Sequence, residues 1–345
     1  METIQVAYEN AKAKADSTPV PRPGRFAVSV VIPAFNEERV IGQCLESLNR
    51  VDFPKESFEV IVVDNSSTDR TVEVARLFTS SLNLTVLKKA KGHISAVRNL
   101  GAAAARGHYL AFLDADMVVS PDWLRRAVSV FSAHSVGVIG APHGIPEGAS
   151  WVARVWYQQR QADRPGRVSY VASGNLLISR SHFLLVGGFD EHIETNEDCD
   201  LCHRARAAGL SVRACPEIST VHLGTPQTVC DFYRNERWHG RSVLRVFLRN
   251  ISAFQNVRAV SLAFYNLLCL AGIVWGLAIA IIFGKPGMLA GSILAALLAP
   301  VALSARIALR RRRWASFLPL SFLYCVYGLA RATCLLKVGN WTSIR

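Results

Sequence analysis

Short apolar runs alternate with amphipathic stretches along the first two thirds of the chain. Val28–Ile32, Phe58–Val63, Leu84–Leu87 and Tyr109–Leu113 are rich in β-branched and aromatic residues, and a helical pattern follows each of the first three. This alternation is typical of a parallel sheet covered by helices. The pattern therefore predicts an α/β domain.

The pattern changes after residue 258. No charged residue occurs between residues 259 and 283 or between residues 286 and 305, so each stretch is long enough to cross a bilayer as a helix. A third stretch, 314–336, is shorter and interrupted by Arg331, so the sequence predicts two to three spans. Arg306 and Arg310–Arg313 lie between the second and third stretches, which indicates a cytoplasmic face there. We expect a multi-pass protein of the cytoplasmic membrane with its N-terminal domain in the cytoplasm.

These patterns divide the chain into four parts. Residues 1–25 are polar and lack the apolar core of a signal peptide, so they are expected to form a flexible tail. The α/β domain is expected over residues 26–230, an amphipathic interfacial helix region over 231–258 and the membrane region over 259–345. The interfacial helix is inferred from arginines spaced three or four residues apart, at positions 234, 237, 241, 245 and 249.

The net charge of +13 raises the question of whether the protein binds nucleic acid. The arginines, however, gather beside the membrane stretches rather than in a groove interleaved with aromatic residues. We therefore expect membrane lipids, and not nucleic acid, as partners. The eight cysteines show no disulfide framework, as expected in a reducing compartment.

Candidate chemistry appears where the predicted strands end. Asp114 and Asp116 follow the fourth apolar run, Asn36 follows the first and Asp64 follows the second. Two carboxylates at this place either start a loop or bind a divalent metal that carries a diphosphate. Ligands of open α/β sheets bind at the carboxyl ends of the strands, so the convergence of these residues favours a binding site.

With these residues placed, the chain resembles the family 2 glycosyltransferases of the membrane-anchored bacterial type, which are inverting enzymes with a GT-A fold. The resemblance covers roughly residues 28–241. Six ordered motifs carry it: Val30-Val31-Ile32-Pro33-Ala34-Phe35-Asn36-Glu37, Val62-Val63-Asp64-Asn65-Ser66-Ser67-Thr68-Asp69, Arg98-Asn99-Leu100-Gly101, Asp114-Ala115-Asp116, Gly187-Gly188-Phe189-Asp190 and Asn196-Glu197-Asp198.

The resemblance implies a role for each motif in binding a nucleotide-sugar donor. Pro33, Phe35 and Glu37 are expected to line the nucleoside pocket, with Asp64 accepting a hydrogen bond from the base. Lys91 and Arg98 match basic positions near the diphosphate, although Lys91 is equally typical of a solvated surface. Asp116 is expected to ligate Mg²⁺ or Mn²⁺, with Asp114 near the ribose or the metal. His222 stands where some relatives supply a third metal ligand, and it is otherwise a packed side chain.

The acidic pair Glu197-Asp198 matches the motif that supplies the general base. The register makes Asp198 the base, with Glu197 supporting it. Inversion requires such a carboxylate to take the proton of the acceptor hydroxyl. The same residues are also favoured at a helix N-terminus, and the two roles are compatible.

Further downstream, Arg237 and Trp238 resemble part of the Gln-x-x-Arg-Trp motif of processive synthases and are expected at the diphosphate or the acceptor. Arg234 replaces the glutamine, which argues against polymer extension. The resemblance thus implies a hexosyltransferase that uses a UDP- or GDP-sugar and a hydroxyl acceptor, lipid-linked or part of a cell-envelope glycan or exopolysaccharide. The alternatives are a polyprenyl-phosphate glycosyltransferase, a processive polysaccharide synthase and a non-catalytic membrane scaffold.

Overall fold

The computed structural model describes residues 26–133, 136–158, 165–241, 243–249 and 257–336. They cluster into two compact units. The sheet unit contains residues up to 146 and from 165 to 224, and the helical unit contains residues 147–158 and those from 225 onward. The expected tail, 1–25, lies outside the described residues.

The sheet unit is built on one mixed sheet of eight strands and a separate two-stranded ribbon. In chain order the strands are β1 (Val28–Ala34), β2 (Phe58–Asp64), β3 (Leu84–Lys88), β4 (Tyr109–Leu113), β5 (Met117–Val119), β6 (Val138–Gly140), β7 (Gly166–Arg167), β8 (Asn175–Ser179), β9 (Val212–Ala214) and β10 (Thr220–His222). The sheet has the order β3-β2-β1-β4-β8-β6-β9-β7, and β5 pairs with β10.

Helices cover both faces of the large sheet, which explains why its central strands read as continuous apolar runs. Along β1, Val30 belongs to one core cluster with Leu45 and Trp123, whereas Val31 belongs to the opposite cluster with Phe112. The helices of this unit are Ile41–Asn49, Thr71–Arg76, Ile94–Ala104, Trp123–Ala133, Arg180–Leu185 and Glu197–Ala207, with short 3-10 turns at Lys55–Ser57 and Pro216–Ile218.

The predicted parallel arrangement holds for half of the sheet. Strands β3, β2, β1 and β4 are mutually parallel, but β8 runs antiparallel between β4 and β6. The pattern of residues 170–178 predicts a strand over that whole range, whereas β8 covers only Asn175–Ser179. Ser173 and Gly174 come directly before β8 and lie against acidic residues of the site described below.

The helical unit holds three helices that are long and apolar enough to cross a membrane: Val260–Phe283, Gly287–Arg311 and Trp314–Leu335. The third stretch forms one long helix, Phe317–Leu336, after a 3-10 turn at Trp314–Ser316, and its crossing of the membrane stays a prediction. The other helices of the unit are Trp151–Gln158, Val229–His239 and Val243–Arg249, and the first long helix as a whole covers Val257–Phe283.

Two contacts explain how the third long helix tolerates Arg331. Its guanidinium forms a 2.7 Å ion pair with Glu236, and it also lies 4.8 Å from the centre of the Tyr327 ring. Both charged side chains are at least nine-tenths buried. Trp156, from the segment between the sheet strands, packs its ring against Phe232 and Tyr327. The helix Trp151–Gln158 therefore clusters with the helical unit, although it lies between sheet strands in sequence.

The predicted arginine stripe does not lie on one continuous helix. The first helix ends at His239, Gly240 and Arg241 form a turn, and a second helix begins at Val243. Glycine disfavours a helix interior by about 1 kcal/mol relative to alanine. At Gly240 a Cβ atom would also lie 2.7 Å from the sulfur of Cys334, so the close packing of these helices requires glycine.

Candidate functional site

Three loops at the carboxyl ends of β1, β2 and β3 are joined by side-chain hydrogen bonds. Asn36, in the left-handed region at φ 56°, accepts a 2.9 Å hydrogen bond from the Thr68 amide through its side-chain oxygen. Asp64 accepts a 3.1 Å bond from the Ser67 amide, and Asn65 exchanges two bonds with the backbone of Gly92. The loops therefore form one preorganised edge.

The residues expected at the nucleoside lie on this edge. Pro33 is buried at the end of β1, beyond Val31, where the ladder with β4 stops. Phe35 is 41% exposed, and the ammonium group of Lys91 lies 5.2 Å from the centre of its ring. An exposed aromatic ring beside a cation suits a nucleoside diphosphate. Asp64 is buried and stabilises its own turn by accepting the bond from the Ser67 amide.

The carboxylates of Asp114 and Asp116, after β4, contact different partners. Asp114 lies 2.6 Å from the guanidinium of Arg98, whereas Asp116 lies 2.9 Å from Nε2 of His222. The pairing of β5 with β10 brings Asp116 and His222 together, since Met117 is opposite His222 in the two-stranded ribbon. Burial lowers the pKa of His222, but the hydrogen bond and charge of Asp116 outweigh this effect, so the pKa lies above its ordinary value.

Asp116 and His222 are suitable as part of a divalent metal site. Carboxylate oxygen and imidazole nitrogen are common ligands, and here they face each other at a distance that an ion can bridge after a small movement. In the part of the chain that the structure describes, no group of three or more His, Cys, Asp or Glu side chains is arranged to hold a metal. Oxygens of the bound diphosphate would have to complete the coordination, as is usual for Mg²⁺.

Glu37 adds a third acidic group on the same side. Burial, followed by the charges of Asp116 and Asp114, raises the pKa of Glu37 to about 7. Its position is fixed through its backbone amide, which donates a 2.7 Å hydrogen bond to Thr71. Glu37 is expected from the sequence only as a nucleoside contact, whereas in the structure its pKa is affected by the charges of Asp116 and Asp114.

Arg98 is buried against two acidic side chains. Its side chain is 2% exposed, with one guanidinium nitrogen 2.6 Å from Asp114 and another 2.7 Å from Glu197. The guanidinium carbon also lies 5.7 Å from the centre of the Phe189 ring. A guanidinium buried and bound in this way has little surface left for a diphosphate. Arg98 thus connects Asp114 and Glu197. Its expected place near the diphosphate stays a prediction.

Asp198 lies at the start of the helix Glu197–Ala207, after Asn196 in the left-handed region. One carboxylate oxygen accepts a 2.7 Å hydrogen bond from the Cys199 amide, and the other accepts a 3.3 Å bond from the Ser173 amide. Burial and the neighbouring charge of Glu197 raise the pKa of Asp198 to about 7. A carboxylate with such a pKa is suited to accept a proton near neutral pH.

Three small residues that sequence analysis missed shape the site. Ser173 donates a 2.8 Å hydrogen bond to Glu197. A Cβ atom at Gly174 would lie 2.5 Å from Asp114, and one at Gly224 would overlap the carboxylate of Asp116. The one available signal was Ser173-Gly174, a polar pair inside an otherwise apolar predicted strand.

Arg237 and Trp238 belong to the helical unit. Trp238 is 38% exposed and stacks edge-on with His239, while the backbone carbonyl of Arg237 accepts a 3.0 Å bond from Cys334. Their expected role at the diphosphate or acceptor stays a prediction.

Two sequence profiles match the chain. Glycosyl transferase family 2 matches residues 29–184, and Glycosyl transferase family group 2 matches residues 109–326, well over half of the chain. Glycosyltransferase AglE of Haloferax volcanii is 29% identical over 241 residues, which cover 68% of this chain and 79% of AglE. Beta-monoglucosyldiacylglycerol synthase of Synechocystis sp. is 27% identical over 237 residues, 65% of this chain and 48% of the synthase. The chain thus spans most of the first relative but about half of the second.

A solved structure shows the same fold. Mannosyltransferase PcManGT from Pyrobaculum calidifontis, in complex with GDP-Man and Mn²⁺, has a TM-score of 0.58 at 19% identity, with 94% of each chain covered. The likeness confirms a GT-A-like mixed α/β domain, which in this chain is followed by three apolar helices. The profile that spans residues 109–326 identifies the family. The chain therefore belongs to the family 2 glycosyltransferases, a family of nucleotide-sugar transferases.

Proposed function

We propose that this glycosyltransferase is an inverting enzyme anchored in the cytoplasmic membrane. It transfers a sugar from a UDP- or GDP-linked donor to a hydroxyl group of a lipid-linked or glycan acceptor on the cytoplasmic face. Asp198 is the general base, and the acidic pair Asp114 and Asp116 serves the diphosphate side of the donor.

The observation that carries this proposal is the environment of Asp198. Backbone amides hold its two oxygens, so the carboxylate has a fixed direction, and its pKa of about 7 gives it useful basicity. A fixed carboxylate of this kind can take the proton of an acceptor hydroxyl as the sugar carbon is attacked. Glu197 remains bound to Arg98 and Ser173 and supports the turn that presents Asp198.

Phe35 and Lys91 support the assignment of the donor, since they offer a stacking face and a cation beside the joined loops of β1 to β3. Asp116 and His222 would hold the metal, and an imidazole nitrogen among the ligands favours Mn²⁺ over Mg²⁺, which prefers oxygen alone. When bound, the ion would neutralise charge on the departing nucleoside diphosphate. Asp114, fixed by Arg98, is then directed to the donor ribose or the metal.

The three apolar helices support the membrane location, and the arginines between the second and third support a cytoplasmic orientation. A lipid-linked acceptor is consistent with the name of one relative, beta-monoglucosyldiacylglycerol synthase, whose product is a glycolipid. The helix Trp151–Gln158 offers Trp151, 44% exposed, as a candidate acceptor contact in the helical unit.

The test is Asp198→Asn in the purified full chain. We expect Mn²⁺-dependent binding of a nucleotide sugar to persist, measured by calorimetry, while transfer falls by at least about a hundredfold, at the lower end of general-base effects. The matched control is Asp200→Asn on the same helix, because Asp200 is engaged by Arg204. Near-normal transfer by Asp198→Asn to a hydroxyl acceptor would refute the assignment of the base.

A lipid phosphate is the second candidate acceptor. Residues 257–336 contain no aspartate or glutamate but several arginines, a charge balance that favours an anionic lipid. A phosphate oxygen is already anionic and needs no base. Transfer to a polyprenyl phosphate that survives in Asp198→Asn would therefore favour this candidate.

A further inference from the structure

His143 follows β6 and lies beside the proposed metal ligand His222. The centres of the two imidazole rings are 4.8 Å apart, and their planes are inclined by 59°. Both residues belong to the sheet unit, and His143 is half-buried. The donor, metal and base assignments made above give His143 no role.

The backbone holds His143 against the two-stranded ribbon. The amide of Gly144 donates a 2.6 Å hydrogen bond to the carbonyl of Thr220, and the amide of His222 donates a 3.1 Å bond to the carbonyl of Gly144. On its other side, His222 pairs with Met117 of β5. The strand that carries His222 is therefore held from both sides. Because these bonds use backbone atoms, replacing the side chain of His143 should leave the segment in place.

Asp116 and His143 contact the imidazole of His222 in different ways. Asp116 lies 2.9 Å from its Nε2 atom, whereas the ring of His143 packs against the ring of His222. The outer torsion of a histidine side chain has broad minima, so a neighbouring ring is needed to limit its rotation. His143 thereby helps to keep Nε2 of His222 directed at Asp116.

The geometry gives His143 a supporting place rather than one in the coordination sphere. Across the described residues, no three His, Cys, Asp or Glu side chains are arranged together to hold a metal. Asp116 and His222 would supply one oxygen and one nitrogen ligand. A nitrogen ligand suits Mn²⁺ better than Mg²⁺, which prefers oxygen alone. A residue that orients this nitrogen should therefore affect the binding of Mn²⁺ more than that of Mg²⁺.

We infer that His143 is a positioning residue of the divalent metal site, whose ring holds the imidazole of His222 in the orientation that binds Mn²⁺. This role rests on the metal assignment in the proposed function and deepens it, because it names a residue that sets the preference for Mn²⁺ over Mg²⁺. It does not depend on the base Asp198 or on the acceptor.

The experiment measures Mn²⁺ binding to the full chain in detergent by electron paramagnetic resonance. It has three arms: Mn²⁺ alone, Mn²⁺ with UDP and Mn²⁺ with GDP. In His143→Ala we expect the affinity for Mn²⁺ to fall roughly tenfold, at the lower end of effects from residues that orient a metal ligand. The affinity for Mg²⁺, measured by competition with Mn²⁺, should fall less than about threefold, since Mg²⁺ prefers oxygen ligands.

Two further variants at position 143 separate ring packing from hydrogen bonding. His143→Phe keeps a ring and should retain the affinity for Mn²⁺ within about threefold. His143→Gln keeps polar atoms without a ring and should behave as His143→Ala does. The matched control is His108→Ala, because the ring of His108 stacks 4.6 Å from that of Tyr109 at the opposite end of β4. This control should bind Mn²⁺ as the unaltered protein does, and thermal unfolding checks that each variant is folded.

His222→Ala tests whether His143 acts through His222. Adding His143→Ala to His222→Ala should cause no further loss of Mn²⁺ affinity, because no imidazole then remains to be oriented. Additive losses would overturn the positioning role. Unchanged Mn²⁺ binding in His143→Ala would also overturn it, as would rescue by glutamine but not by phenylalanine.

The same variants distinguish this failure from a failure of the proposed function. If His222→Ala binds Mn²⁺ as the unaltered protein does, the metal assignment itself is wrong, and the role of His143 is refuted with it. If only the His143 variants bind Mn²⁺ normally while His222→Ala does not, the metal assignment stands and the positioning role alone is refuted. A wrong assignment of the base would leave all these results unchanged.

Discussion

Arg98 and Glu197, 99 positions apart in the chain, form a buried ion pair with a nitrogen–oxygen distance of 2.7 Å. A second nitrogen of the same guanidinium holds Asp114 at 2.6 Å. One side chain thereby connects the acidic pair after β4 with Glu197, the first residue of the helix that carries the proposed base Asp198. In the proposed function, this connection sets the spacing between the diphosphate side of the donor and the base.

Arg98→Lys should lose most of the transfer rate while retaining the fold, because an ammonium group cannot form the two-sided contact of a guanidinium. Arg98→Gln should be far less stable, since removing one partner from a buried ion pair costs about 3–5 kcal/mol. Thermal unfolding separates the two effects. In Arg98→Lys the maximal rate should fall more than the affinity for Mn²⁺ and donor. An unchanged rate in the lysine variant would show that Arg98 does not position the site.

The rate of transfer should rise with pH through about 7. Only ionised Asp198 can accept a proton, and burial together with Glu197 raises its pKa to about 7. The charge of Arg98 lowers the pKa of Asp198. A variant that weakens this charge interaction should therefore move the acid limb of the pH–rate profile to higher pH. The measurement is the maximal rate at saturating acceptor over a range of pH, with binding of donor followed in parallel. A rate that is flat between pH 6 and pH 8 would contradict the assignment.

Stability should show the opposite dependence on pH. The folded pKa of Asp198 and Glu37 lies near 7, above the usual value of a carboxyl group in an unfolded chain. The folded state therefore holds more protons between about pH 4 and pH 7, and stability falls as pH rises through that window. Asp198→Asn should reduce this slope in thermal unfolding. A slope as steep in Asp198→Asn as in the unaltered protein would assign the effect to other groups.

Gly174→Ala should weaken the binding of donor and metal with little change in folding. Its Cβ atom would lie 2.5 Å from a carboxylate oxygen of Asp114, which Arg98 prevents from moving freely. We expect the concentration of Mn²⁺ for half-maximal donor binding to rise about tenfold, a value at the lower end of effects from neighbours of metal ligands. Gly166→Ala is the control, because no atom lies within 4 Å of its added Cβ. Equal behaviour of the two variants would count against the proposed site.

The ion pair between Glu236 and Arg331 should dominate the stability of the helical unit. Both side chains are buried and lie 2.7 Å apart, so Glu236→Gln alone should cost about 3–5 kcal/mol. Adding Arg331→Met should recover part of this loss, because no charge then remains buried without its partner. Unfolding in detergent of both single variants and the double variant gives the coupling. Additive losses would show that the two residues act independently.

Much of this protein follows from local sequence. The buried parallel strands β1 to β4 appear as apolar runs because helices cover both sheet faces, and the apolar segments after residue 258 are recognisable from length alone. The acidic residues at strand ends were also predictable. Parallel strands bring their carboxyl ends to one edge whatever their separation in sequence.

Only the tertiary structure decided which groups meet. Arg98 carries a charge that local sequence cannot distinguish from a surface charge, and only the structure shows that it is buried between Asp114 and Glu197. The helix Trp151–Gln158 lies between sheet strands in sequence but packs its Trp156 against Phe232, in the helical unit. Pairing of this kind depends on contacts between distant segments, and no local pattern of hydrophobic and polar residues encodes it.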